Sequence, residues 1–306
     1  QFPFHFWLPH AMQAPTPVSA YLHSATMVKA GVFLMARLYP ALAGTEQWFY
    51  MVSFTGMATM LLGAYTAMFK HDLKGLLAYS TVSQLGLITL LFGMGTQLAA
   101  VAAIFHVINH ATFKASLFMA AGIIDHETGT RDMRRINGLW RFMPHTATLA
   151  MVAAASNAGV PLLNGFLSKE MFFAESLALN LPGLWAWLPP IVANIAGVFT
   201  VAYSARVIHD VVFNGKPVDL PIYPPHEPPR YMKIPAEILV FALVMIGIFP
   251  AISVGPLLYM AASATFGGNV PDYQLAAFHG FNLPLMMSFF AFAGGLLMYS
   301  QRQRFF

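Results

Sequence analysis

The chain has 306 residues, of which 58% are hydrophobic and 9% charged, with a formal net charge of +4. Soluble domains carry about 25% charged residues, so this composition excludes an ordinary globular enzyme and describes an all-α polytopic membrane protein. Cysteine is absent, which excludes disulfides, cysteine-ligated zinc and iron–sulfur clusters.

In chain order, residues 1–12, with Pro3 and Pro9, read as the tail of an interrupted segment. Apolar segments of about 20 residues, the length that crosses a bilayer, follow. They fall at 18–39, 48–69, 73–93, 98–124, 147–179, 189–213, 234–264 and 284–300, which predicts about eight crossings. The fifth is too long for one plain helix. It contains Asn157-Ala158-Gly159-Val160-Pro161 and then Asn164-Gly165, so it is expected to be discontinuous in mid-membrane. The proline-rich stretch within 210–233 reads as an extended connector. The expected layout is a loop and helix end at 1–16, a membrane core at 17–213, a cytoplasmic loop at 214–233 and further membrane helices at 234–306. Both ends read as cuts in a longer chain, which opens on Gln1 and stops at Phe306 directly after an apolar segment.

The basic residues sort by side. Connections after the second, fourth, sixth and eighth crossings hold twelve Lys and Arg, whereas those on the other face hold only Arg37. The positive-inside rule places the twelve in the cytoplasm and makes the basic balance topological, so no nucleic acid is expected. The three that remain, Lys29, Lys114 and Lys169, each fall inside an apolar crossing.

Ionisable groups at membrane depth are costly, and their default reading is an ion or proton path. His106, His110 and Lys114 are spaced by four, a rotation of about 400° per step, and so share one stripe roughly 12 Å long. Imidazole titrates near neutrality, which suits proton hopping along such a ladder. A His-x-x-x-His pair can also hold zinc, but no Glu or Cys stands beside it as a third ligand. Hydrogen bonds from each histidine to a neighbouring helix are the static alternative, and Asn109 could serve either. Lys29 lies too deep for comfortable snorkelling. Lys169 follows the break in the fifth crossing, where free carbonyls and helix ends recur as ion sites. Its neighbour Glu170 is a partner or a mark of the outer face. Lys74 sits where a cytoplasmic helix-end lysine is ordinary. His23 and His5 are accessory candidates, His23 off the face of Lys29 and pointing toward a neighbouring helix. No phosphate loop, Walker lysine or nucleophile elbow is present, and no cofactor is implied.

Several of these segments resemble a known family. The run Gln1-Phe2-Pro3-Phe4-His5-Phe6-Trp7-Leu8-Pro9, followed by Ala14-Pro15-Thr16-Pro17-Val18-Ser19-Ala20, is similar to the antiporter-like subunits of respiratory complex I and of Mrp-type cation/proton antiporters. So are Asp72–Thr81, Phe105–Lys114 and Pro161–Glu170. Within that family Thr26-Met27-Val28-Lys29-Ala30-Gly31, Leu167–Phe173 and His279–Leu285 resemble the second half of the A subunit of the Mrp-type multisubunit Na+/H+ antiporter. The resemblance implies a secondary transporter subunit, not an enzyme, that works with other Mrp subunits and membrane lipid on Na+ and H+. It implies a mid-membrane polar axis in which Lys29 and Lys74 connect two helix bundles. His106, His110 and Lys114 would relay through the second bundle, and Lys169 would stand at its broken helix. The family's first half is lacking, with its membrane glutamate and the lysine of the first broken helix, as is the far C-terminal part, so this piece alone is not expected to transport. A proton-pumping subunit of a complex I-type NADH:quinone oxidoreductase is the alternative.

Overall fold

The computed structural model describes residues 1–179 and 182–304. A short helix α1 (Trp7–His10) leads into α2 (Thr16–Ser24), α3 (Ala30–Leu42), α4 (Glu46–Met68), α5 (Leu73–Gly93) and α6 (Gln97–Thr128). Then come α7 (Pro144–Ala158), α8 (Asn164–Ala178), α9 (Leu188–Arg206) and α10 (Arg230–Ile248). The last elements are α11 (Pro250–Ser253), α12 (Gly255–Phe266) and α13 (Leu283–Ser300). Among the described residues six helical stretches are long and apolar enough to span a membrane.

Helix starts follow local capping chemistry. Thr45, Asp72, Thr96 and Asn282 each accept a backbone N–H from the first turn of α4, α5, α6 and α13. Glu227 does the same for α7 from 80 residues away, accepting from the backbone N–H groups of His145 and Thr146 at 2.6 and 3.1 Å. The proline-rich connector is therefore more than a spacer: it caps a helix.

Two expectations about continuity are corrected. The first predicted crossing, 18–39, is two helices: α2 stops at Ser24, a tight turn covers Met27–Lys29, and α3 starts at Ala30. Thr26, at φ −115° and ψ −92°, has left the helical region. The predicted crossing 234–264 ends as a helix at Ile248, because Pro250 has no N–H to continue the ladder, and resumes in α11 and α12. The expected break in the fifth crossing lies between Ala158 and Asn164.

α4 and α5 approach to backbone contact through two glycines on each. A Cβ on Gly56 would fall 2.8 Å from Leu90 Cα, and one on Gly93 would fall 2.6 Å from Ser53 Oγ. Gly63 and Gly86 are as tightly placed, against Ser83 and Met60. Small residues spaced by seven on both helices give the close crossing that packing in a bilayer uses when no hydrophobic force separates helix from lipid. α6 is the centre of the molecule and touches α2, α5, α7, α8, α10 and α12. At its C-terminal end the basic connectors interlock: Leu73 N–H donates to the Arg131 carbonyl, Met133 to His71, and Val218 to Arg135. Three of the four predicted cytoplasmic connections thus lie together at one end.

Candidate ion-translocation site

The buried groups converge on α6. His106, His110 and Lys114 are fully buried, and Asn109 with them. His106 is fixed by both ring nitrogens: Nδ1 lies 2.9 Å from Ser168 Oγ on α8, and Nε2 lies 2.7 Å from Gln84 Oε1 on α5. With both nitrogens engaged, His106 has none left for a metal. The His110 ring is one turn on, with ring centroids 6.3 Å apart, and packs on Phe113. Among the described residues neither His110 nitrogen meets a partner at hydrogen-bond geometry, and the ring faces the Ser24 backbone at the end of α2. Lys114 Nζ donates to Ser80 Oγ, which donates in turn to the Leu77 carbonyl at 2.8 Å.

The other lysines are held by carbonyls. Lys29 Nζ donates to the Val107 carbonyl on α6 at 2.7 Å, and Lys74 Nζ to the Ala14 carbonyl at 2.8 Å. Lys169 Nζ reaches back across the break to the Asn157 and Ala158 carbonyls, at 2.7 and 2.9 Å. These are the orphan carbonyls at the end of α7, where a helix dipole favours a cation. No carboxylate forms an ion pair with any of the four lysines among the described residues. Lys74 is 1% exposed, so it is a core lysine rather than an ordinary helix-end residue.

The break beside Lys169 is pinned to α6 by amides. Asn109 Nδ2 donates to the Asn164 carbonyl at 3.1 Å, while Asn164 Nδ2 donates to Asn109 Oδ1 and Thr112 Oγ1 at 3.2 and 2.7 Å. Ser156 Oγ donates to Asn164 Oδ1 at 2.6 Å. Leu162, at φ +68°, sits in the left-handed region that a non-glycine residue rarely takes, so the loop carries backbone strain. Gly159, at φ +91°, ends α7, and a Cβ there would lie 3.0 Å from Lys169 Cδ. Gly159→Ala is therefore expected to cost about 1–2 kcal/mol in backbone strain and to push the Lys169 stem aside. A lower melting temperature together with slower exchange in the assembled complex checks it.

The accessory candidates part company. His23 is fully buried against Phe118 of α6, ring centroids 5.9 Å apart, with neither nitrogen hydrogen-bonded. His5 stacks near Phe2 and Tyr79, and no hydrogen bond joins it to the line. Glu170 is no partner of Lys169: it accepts from Asn282 Nδ2 at 3.2 Å and faces His279 Nδ1 at 3.3 Å. Gln84, Ser80 and Ser168 do not stand out in the sequence, because uncharged polar residues inside a helix give no signal until the helices pair. A second buried cluster is equally silent there. Asp210, on the widened turn Val207–Phe213, accepts from Tyr299 Oη at 2.6 Å and lies near Arg206 and Arg302.

Broken helices that carry lysines at their interruptions, wrapped on a central helix of buried histidines, define a polytopic membrane protein with a line of buried ionisable groups through its centre. Residues 1–193 match the model of the transmembrane family shared by NADH:quinone oxidoreductases and Mrp antiporters, and the chain belongs to that family. It is 63% identical over 98% of its length to the A/B subunit of a probable K+/H+ antiporter of Rhizobium meliloti, covering 30% of that protein. It is 45% identical over 98% of its length to the A subunit of the Na+/H+ antiporter of Alkalihalophilus pseudofirmus, covering 40% of it. Among solved structures, the Mrp complex of Dietzia sp. DQ12-45-1b superposes with a TM-score of 0.89 at 41% identity, over 99% of this chain and 32% of that one. The membrane-bound sulfane sulfur reductase, an archaeal respiratory membrane complex, gives 0.74 at 29% identity, over 86% and 52%. The chain thus spans about a third of the length of the curated relatives it matches.

Proposed function

We propose that this chain is part of the A subunit of an Mrp-type antiporter in a bacterial cytoplasmic membrane, where it carries protons for exchange against a monovalent cation. Lys29, Lys74, His106, His110, Lys114 and Lys169 are the relay. The observation that carries the reading is the chemistry of their partners: carbonyls, hydroxyls and an amide, none of which neutralises a charge. A lysine held only by neutral acceptors takes and gives up a proton more readily than one locked in an ion pair. External protons would enter this line, move by successive hops, and leave toward the cytoplasm as the cation is expelled. Neighbouring sites repel when both are charged, so a proton that arrives on one favours departure from the next. The cation itself finds no carboxylate on the line, and its route belongs to other residues or to other subunits of the complex.

A redox-driven pump remains the second reading, favoured by the likeness to the archaeal respiratory complex, though at lower identity than the antiporters. Everted vesicles from antiporter-deficient cells that express the complete complex separate the two. Respiration sets the proton gradient, and NaCl or KCl is then added. Collapse of the gradient on addition of one of these salts is expected. No response to either salt, with quinone reductase activity in the purified complex, would overturn the antiport reading.

A further inference from the structure

We propose that Asp125 is the cytoplasmic proton-exchange group of this relay, the carboxylate through which Lys74 gives its proton to solvent; this rests on the relay reading above. Asp125 lies eleven residues after Lys114 on α6, three turns away with an offset of about 20°, so it continues the stripe of His106, His110 and Lys114. That places it roughly 16 Å beyond Lys114, at the end where the basic connectors meet.

Two cavities of about 560 and 550 Å³ open there, and Asp125 and Gly129 line both. Three carboxylates line the second, and two are occupied. Asp72 pairs with Arg131 at 3.2 Å and Asp132 with Arg134 at 2.7 Å. Hydrogen bonds from Arg134 hold the Asp132 carboxyl below the usual carboxylate range. Asp125 has no side-chain hydrogen bond or ion pair among the described residues. Asp125, Asp72 and Arg131 are the charged groups of these connectors whose fields reach the buried Lys74 ammonium. His71, from the connector before α5, faces the same cavity as Arg131 and Arg134. His126 on α6 and Tyr231 on α10 face the other cavity. Lys74 itself is sealed behind the Ala14 carbonyl, and Thr16, two residues on, lines the cavity with Asp125. Among the described residues lining these cavities, Asp125 is thus the one unpaired acid, and it shares a cavity with Thr16, two residues from the carbonyl that holds Lys74.

The step balances without another reactant. An N–H bond of the Lys74 ammonium breaks as an O–H bond forms on Asp125, across intervening water. The acid then passes that proton to water in the cavity and returns to carboxylate, and the Lys74 amine is ready for the next proton. The same route serves uptake in reverse.

The test uses the complete complex in everted vesicles, where the cytoplasmic face meets the assay buffer. Asp125→Asn is expected to slow cation-dependent collapse of the gradient by about 100-fold and to flatten its dependence on buffer pH. Asp125→Glu should restore exchange with a shifted pH profile, and Asp132→Asn should leave rate and profile unchanged. A wild-type rate and profile for Asp125→Asn, with Lys114→Met inactive in the same assay, would overturn this proposal alone. Exchange that survives Lys114→Met would instead remove the relay reading beneath it. If Asp125→Asn fails to assemble, Asp125→Glu decides: a profile identical to wild type overturns the assignment.

Discussion

Replacing Lys114 by methionine in the complete complex is expected to lower cation-dependent proton exchange by about 100-fold or more, the range a positioned proton-transfer group supplies. The same substitution should leave the melting temperature of the complex unchanged or raised. Lys114 is fully buried, and among the described residues its ammonium is hydrogen-bonded by Ser80 Oγ alone, with no carboxylate in an ion pair with it. Replacing an uncompensated buried charge by an apolar side chain of similar volume relieves its desolvation cost, on the order of several kcal/mol per ion. Loss of transport with retained or improved stability is the signature of a group kept for its proton and not for packing. Lys114→Arg should be inactive as well, because a guanidinium keeps the charge but does not release its proton. Exchange at near wild-type rate in the methionine variant would remove Lys114 from the path.

Gly86→Leu is expected to have the largest effect on assembly. The Cβ of any side chain at Gly86 would meet backbone atoms of Met60 and the Gly56 carbonyl, 2.8 Å away, neither of which can swing aside. The two helices must separate by more than an ångström, and the three matching glycine contacts along the same seam are lost with this one. Overpacking in a tight core costs about 1–3 kcal/mol, and a rigid backbone neighbour puts this site at the upper end or beyond. α5 also carries Ser80 and Gln84, so the displacement pulls the partners away from Lys114 and His106. Gly86→Ala should show a smaller loss in the same direction. Yield and melting temperature of the detergent-solubilised complex report both, and a wild-type melting temperature for the leucine variant would contradict the seam described for α4 and α5.

The sequence and the structure agree where a charge stands against an apolar background. Lys29, Lys114 and Lys169 are legible for that reason, as is the break after Ala158, which glycine, proline and asparagine announce. Lys74 is easy to underweight because its neighbours Lys70, His71 and Asp72 give it the look of a surface helix start, yet it is buried and held by the Ala14 carbonyl. The break at Ala25–Thr26 has no proline or glycine within it and so leaves no mark in the hydropathy. Glu170 misleads for a different reason: its partners His279 and Asn282 lie more than a hundred residues further on, a pairing that periodicity does not reach. Gln84 and Ser168 share that limit. They become visible only when three helices are brought around one imidazole.

The direction of the histidine stripe bears on energy supply. His106, His110 and Lys114 follow one another along the axis of α6, a span-length helix, and the first and last are about 12 Å apart in an apolar layer about 30 Å thick. A proton carried between them moves through a sizeable fraction of the electric field across the membrane. Each 100 mV of membrane potential then biases that passage by about 0.9 kcal/mol, a share of the roughly 2.3 kcal/mol for a full crossing. On the proposed relay, voltage alone, with equal pH on the two sides, would still drive protons down this helix.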